Sequence, residues 1–191
     1  MNTFCFPGPL WFSERINIIS TARLDRTSVL LYVDDKKDDI VLVEIALRYA
    51  AIPFRLRQFD NIAAATAYLK GEGSFADRAV HPLPSVILLD HQLAGCTASE
   101  ALPELKKFPG CNKLPWVVFS GTLSPVKVAD CYRAGADHFI LKPRDASRLM
   151  LVLKTLYDCV TAIPPCFVLL RSLEEYRGPS PPEATALSVS S

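Results

Sequence analysis

The 191 residues contain no excess of either charge, no cysteine pair at CxxC spacing and no membrane-length apolar run. Lysine plus arginine number 21 and aspartate plus glutamate 20, a net charge of +1. A general nucleic-acid binder usually carries a basic excess, and a charge-driven disordered chain a large net charge; this chain has neither. Six cysteines are too few for a disulfide scaffold. Without CxxC, neither a zinc ribbon nor a thioredoxin-type motif is present. Reduced thiols and a cytoplasmic location are therefore expected. No apolar run approaches the roughly 18–20 residues of a membrane helix. The start, MNTFCFPGPLWFSER, lacks an early positive charge and is broken by Pro7 and Pro9, so neither a signal peptide nor an anchor is expected. No internal repeat is visible.

What is present is a regular middle between two irregular ends. Half of the chain is apolar, enough for a sizeable core. Residues 1–26 show no sustained periodicity and are expected to be a poorly ordered extension. Residues 161–191 carry Pro164, Pro165, Pro179, Pro181 and Pro182 and end Ser-rich. They are expected to be mostly disordered, with one short amphipathic helix over 166–176. Between these ends, short apolar runs alternate with helical patterns. VLLYV at 29–33, FRLRQF at 54–59, SVILL at 85–89, PWVVFS at 115–120 and HFIL at 138–141 read as buried strands. Ile40, Val43 and Leu47 fall at helical spacing, as do Val128, Cys131 and Tyr132 before Gly135. Leu149, Val152, Leu153, Leu156 and Val160 form a third stripe. Five strands and five helices in alternation predict an α/β fold, a five-stranded parallel sheet with helices on both faces.

In such a sheet the functional site lies at the carboxyl ends of the strands. Asp34 and Asp35 follow the first strand, Asp90 the third. Ser120, Gly121 and Thr122 close the fourth, and Lys142 with Pro143 the fifth. No Gly-rich dinucleotide or P-loop motif occupies any of these turns. Carboxylates that converge raise one another's pKa or recruit a cation, and Mg²⁺ with oxygen ligands suits such a set near phosphate. A lysine and a hydroxyl beside Asp90 supply donors for an anion. The combination suits a phosphoryl group placed on a carboxylate.

These pieces resemble a response-regulator receiver domain, the CheY-like module of two-component signalling. The matching segments are LLYVDDKKDD, ILLDHQLAG, VVFSGT and GADHFILKP, in that order, and the resemblance spans residues 27–160. The segment YLKGEGSFADRAVHPLP also resembles stand-alone receivers with a long loop before the third strand. The resemblance implies a flavodoxin-like (βα)5 fold. It implies Asp90 as phosphoacceptor and Mg²⁺ held by Asp34, Asp35, Asp90 and the backbone carbonyl of Gln92. It further implies Lys142 paired with Asp90 and then with phosphoryl oxygens, Ser120 bonding the phosphoryl group, and Phe139 as an aromatic switch. The implied partners are a histidine kinase or phosphotransfer protein and a downstream protein, with no nucleic acid and no membrane. No enzymatic turnover is expected beyond assistance to its own phosphorylation and dephosphorylation. The tail shows no pattern for a DNA-binding output domain, so output through protein contacts is expected. Ala94 and Ala98 stand where the family usually has Pro and Gly, and Lys36 and Lys37 bring ammonium groups close to the acidic pair.

Other readings of the same residues are blander. Asp34 and Asp35 alone suit helix caps. His91 alone suits a structural or exposed role, and the cysteines suit small packing residues. An aspartate-nucleophile phosphatase would have a second Asp where Gln92 stands. A pseudo-receiver, binding partners without phosphorylation, is the alternative function.

Overall fold

A computed structural model describes residues 28–162 and residue 165. The expectations for residues 1–26 and for a helix at 166–176 lie outside the described residues.

The sheet forms from β1 (Val29–Val33), β2 (Arg55–Phe59), β3 (Val86–Asp90), β4 (Trp116–Ser120) and β5 (His138–Leu141). All pairings are parallel, in the order β2-β1-β3-β4-β5. Five helices alternate with them: α1 (Lys37–Tyr49), α2 (Ile62–Lys70), α3 (Ala98–Leu105), α4 (Pro125–Arg133) and α5 (Ala146–Thr161). Because successive strand residues point to opposite faces, each strand feeds two cores. Leu30, Leu88, Val117 and Ile140 meet Val43 and Leu47 of α1 and Val152 and Leu156 of α5. Leu31, Ile87, Val118 and Phe139 meet Tyr68 of α2, Leu102 of α3 and Val128 of α4. The apolar residues that set the helical spacing are buried, except Val160, which is half-buried against the same core.

Element ends follow local chemistry. The Asp145 side chain caps α5 by accepting from the Arg148 N–H at 2.9 Å. The chain reverses after α4 at Gly135, whose φ of +102° suits a residue without Cβ. The N-cap of α1 is Lys36, with no side-chain cap, so the capping role open to Asp34 and Asp35 is not the one they take.

Two departures from the sequence reading have plain causes. FRLRQF reads as a buried strand, yet β2 is one of the sheet's two outer strands and exposes Arg55 and Gln58. Its polar residues fall where one side faces solvent. After β3, a two-residue hairpin pairs Gln92–Leu93 with Cys96–Thr97, an element too short for periodicity to signal. It turns at Gly95, φ +87°. Among the described residues, no helix is long and apolar enough to cross a membrane.

Candidate functional site

Parallel strands bring their carboxyl ends to one edge, and the predicted residues meet there. Asp34 is fully buried, Asp90 is 2% exposed and Ser120 3%. Carboxylate oxygens of Asp34, Asp35 and Asp90 all lie within 4.8 Å of one another. The Lys142 ammonium stands 2.6 Å from an Asp34 oxygen and 2.6 Å from Asp90 Oδ1. One lysine just after β5 thus joins a carboxylate just after β1 and one at the end of β3.

The hydrogen bonds show how the carboxylates are held. Asp34 accepts from the Tyr32 hydroxyl and, at 3.0 Å, from the Lys36 N–H. Asp90 Oδ2 accepts from the Gln92 N–H at 2.7 Å. Asp35 Oδ1 is buried without a hydrogen-bond partner among the described residues. A buried orphan oxygen on one carboxylate of such a cluster is chemically suited to a hard cation. The acidic cluster therefore fits a divalent metal.

Burial pushes the Asp90 carboxyl above the usual carboxylate range, although its bond to Lys142 pulls the other way. Burial also opposes the charge on Lys142, but its bonds to Asp34, Asp39 and Asp90 outweigh this and raise its pKa. Burial and the bond to Asp34 raise Tyr32. Lys142 thus remains an ammonium in a pocket of carboxylates.

Ser120 does not bond Asp90 here. Its hydroxyl donates to the Thr122 carbonyl at 2.9 Å and accepts from the Thr122 N–H at 3.2 Å. It lines, with Lys36, Asp90, Gln92, Thr122 and Lys127, a cleft of about 220 Å³. A larger groove, about 360 Å³, runs along β2 beside Phe59 and Phe75 and contains none of the acidic residues of the cluster. The smaller cleft is the one that opens on the acidic cluster, because Asp90 and the Ser120 hydroxyl line it.

Phe139 is fully buried on the α2–α4 side of the sheet, its ring 6.5 Å from that of His91. His91 is 4% exposed and its carbonyl accepts the Ala98 N–H at 2.9 Å. Burial, then the charge of Lys127, pushes its imidazole below its usual pKa. Burial and the backbone bond fit a structural role for His91. Two residues of the site escaped the sequence reading. Asp39, in the first turn of α1, reaches Lys142 at 2.7 Å, and Tyr32 secures Asp34. The second acidic pair in LLYVDDKKDD was the available signal for Asp39. Tyr32 read as an ordinary strand residue.

The model of the response regulator receiver domain family matches residues 30–154. The chain belongs to this family. Response regulator Rcp1 of Synechocystis sp. is 30% identical over 121 residues, 63% of this chain and 80% of that protein. Two-component response regulator ORR11 of Oryza sativa subsp. japonica is 29% identical over 123 residues, 63% of this chain and 76% of that protein. Among solved structures, the phosphorylated cyanobacterial phytochrome response regulator RcpA aligns with a TM-score of 0.63 at 27% identity, covering 72% of this chain and 96% of that one. The Mn²⁺-bound form of Rcp1 aligns at 0.58 with 27% identity, covering 69% and 92%. The receiver thus has the CheY-like α/β fold and a place in two-component signalling. Response regulators use such domains to interact with histidine kinases or phosphotransfer proteins.

Proposed function

We propose that Asp90 of this receiver accepts a phosphoryl group from the phosphohistidine of a histidine kinase or phosphotransfer protein. The supporting observation is the buried pairing of Asp90 with Lys142 at 2.6 Å, inside an acidic cluster with an orphan oxygen on Asp35. Asp34, Asp35, Asp90 and the backbone carbonyl of Gln92 would hold Mg²⁺, which when bound neutralises charge on the incoming phosphoryl group.

An Asp90 carboxylate oxygen forms the new P–O bond as the P–N bond of the donor breaks, and the donor imidazole, protonated on its other ring nitrogen, takes the bond's electron pair and leaves neutral. Lys142 balances the charge that the acyl phosphate adds. Its three carboxylate partners hold it in place, and it moves its hydrogen bonds from Asp90 to phosphoryl oxygens. Ser120 exchanges its bond to Thr122 for one to the phosphoryl group, drawing its loop inward. Phe139 changes rotamer in response. The receiver thus assists its own phosphorylation and dephosphorylation and turns over no separate substrate. The output is a changed surface recognised by another protein.

Incubation with a small acyl phosphate and Mg²⁺, followed by intact-mass analysis, tests this reading. Wild type should gain one acid-labile phosphoryl group, Asp90→Asn none, and a chelator should suppress the gain. The same gain in Asp90→Asn would refute the assignment. A wild type that never labels would favour a receiver that binds partners without phosphorylation.

A further inference from the structure

The Lys142 ammonium has three N–H groups, and three carboxylates take them. Asp34 accepts at 2.6 Å, Asp90 at 2.6 Å and Asp39 at 2.7 Å. Asp34 and Asp90 belong to the acidic cluster, whereas Asp39, in the first turn of α1, does not. The three also differ in exposure. The Asp34 side chain is fully buried and that of Asp90 3% exposed, but that of Asp39 is 29% exposed.

Exposure decides which bond is most readily released. If Lys142 left Asp34, a buried carboxylate would lose its counter-ion, with only the Tyr32 hydroxyl and the Lys36 N–H still bonded to it. Asp39 reaches solvent, so water can replace the ammonium there. A phosphoryl group on Asp90 offers Lys142 new acceptors, yet every N–H is already taken. The bond to Asp90 frees one. The next can come from Asp39 without stranding a buried charge.

Two effects of Asp39 then have the same sign. Its carboxylate keeps one N–H in a charge-assisted bond, with which phosphoryl oxygens must compete. Its negative charge also opposes the arrival of a second anion at the same ammonium. The place of the ammonium does not depend on Asp39 alone. It stands 5.9 Å from the centre of the Phe119 ring, which the Tyr32 ring meets edge-on, and it keeps Asp34.

We propose that Asp39 is a positioning residue that acts through Lys142. It holds the ammonium back from the phosphoryl group, so the site grips that group less tightly than it would with Asp39 uncharged. This rests on the reading of Asp90 as phosphoacceptor.

Beryllofluoride, a phosphoryl mimic that a carboxylate holds through a beryllium–oxygen bond, tests this by calorimetric titration of the full chain at saturating Mg²⁺. Asp39→Asn keeps the shape and removes the charge. It should bind beryllofluoride about tenfold more tightly than wild type, the scale of one hydrogen bond to a charged group. Asp39→Ser, also uncharged, should tighten binding as well, and Asp39→Glu, which keeps the charge, should bind like wild type. Exposed Asp38 lies in the same helical turn, and Asp38→Asn removes an equal charge while leaving the bonds of Lys142 intact. It should also bind like wild type. A merely structural role for Asp39 would weaken binding in the uncharged variants. Unchanged or weaker binding in Asp39→Asn therefore overturns the proposal. Equal tightening in Asp38→Asn overturns it too, and assigns the effect to the general field of the helix. A wild type that binds no beryllofluoride overturns the phosphoacceptor reading and this inference together.

Discussion

Lys142 meets three carboxylates, and the stability of the receiver depends on which partner is removed. Asp90 has its carboxyl pushed upward by burial. The unfolded carboxyl ionises near pH 4. The folded one ionises at higher pH, so between the two values the unfolded chain has lost a proton that the folded chain keeps. Stability falls as pH rises through that window. At pH 7 the ionised Asp90 is therefore a net cost to folding, about 1.4 kcal/mol for each unit of elevation. Asp90→Asn removes that charge and leaves Lys142 with Asp34 and Asp39. In chelator at pH 7, this variant should resist urea better than wild type, and the advantage should vanish below pH 4. Lys142→Ala should act the opposite way. It strands Asp34 and Asp90 in the interior, at a cost of about 3–5 kcal/mol. Urea curves at pH 7 that superimpose for wild type and Asp90→Asn would contradict this account. The stability thus given up at Asp90 belongs to the site, not to the fold.

At the scale of elements, the long connection before β3 shows how one side chain can replace several backbone partners. Arg78 donates to the carbonyl of Tyr68 at 2.8 Å, of Leu69 at 2.6 Å and of His81 at 3.2 Å. The first two are carbonyls at the end of α2; that of Tyr68 also accepts the Gly71 N–H at 3.1 Å, and at Leu69 the guanidinium replaces the next helical turn. The guanidinium also favours the negative end of the helix dipole. The chain turns beside it at Gly71, φ +73°, where a Cβ would stand 2.8 Å from the Arg78 side chain. Arg78→Ala should therefore lower stability by about 2 kcal/mol, measured by urea unfolding. Gly71→Ala should be destabilising as well, through both its left-handed backbone and the collision. An Arg78→Ala variant as stable as wild type would show that water satisfies those carbonyls. The sequence reading marked this segment as a long loop and had no means to find its internal support. An arginine in a polar stretch carries no periodic signal, and its partners are backbone atoms.

At the scale of the whole molecule, the two cores determine which groups solvent can reach. Cys111, Cys131 and Cys159 are fully buried, whereas Cys96 is partly exposed at the hairpin after β3. Burial pushes the Cys131 thiol up to about 11. At pH 8 an alkylating reagent should modify Cys96 in the native receiver and reach the three buried thiols only through unfolding. Peptide mapping after timed alkylation checks this, and native-state labelling of Cys131 as fast as Cys96 would be inconsistent with the packing. The packing reading of the cysteines, open from composition alone, thus has a direct measurement.

Much of this architecture was legible because it rests on patterns that repeat along the chain. Runs of about five apolar residues signal buried strands, and stripes at 3.6-residue spacing signal helices facing them. Strict alternation then requires parallel pairing, and parallel pairing puts Asp34, Asp35, Asp90, Ser120 and Lys142 at one edge. Those consequences follow from chirality and from the geometry of crossover connections. What the sequence did not determine are contacts between residues with no shared period. Asp39 joins Lys142 across 103 positions of sequence. Ser120 bonds Thr122 rather than Asp90. β2 took the outer place in the sheet although its sequence reads as a buried strand. Each of these depends on where side chains and strands stand once the chain is folded. A one-dimensional pattern records which face a residue turns inward, but not which partner it meets there.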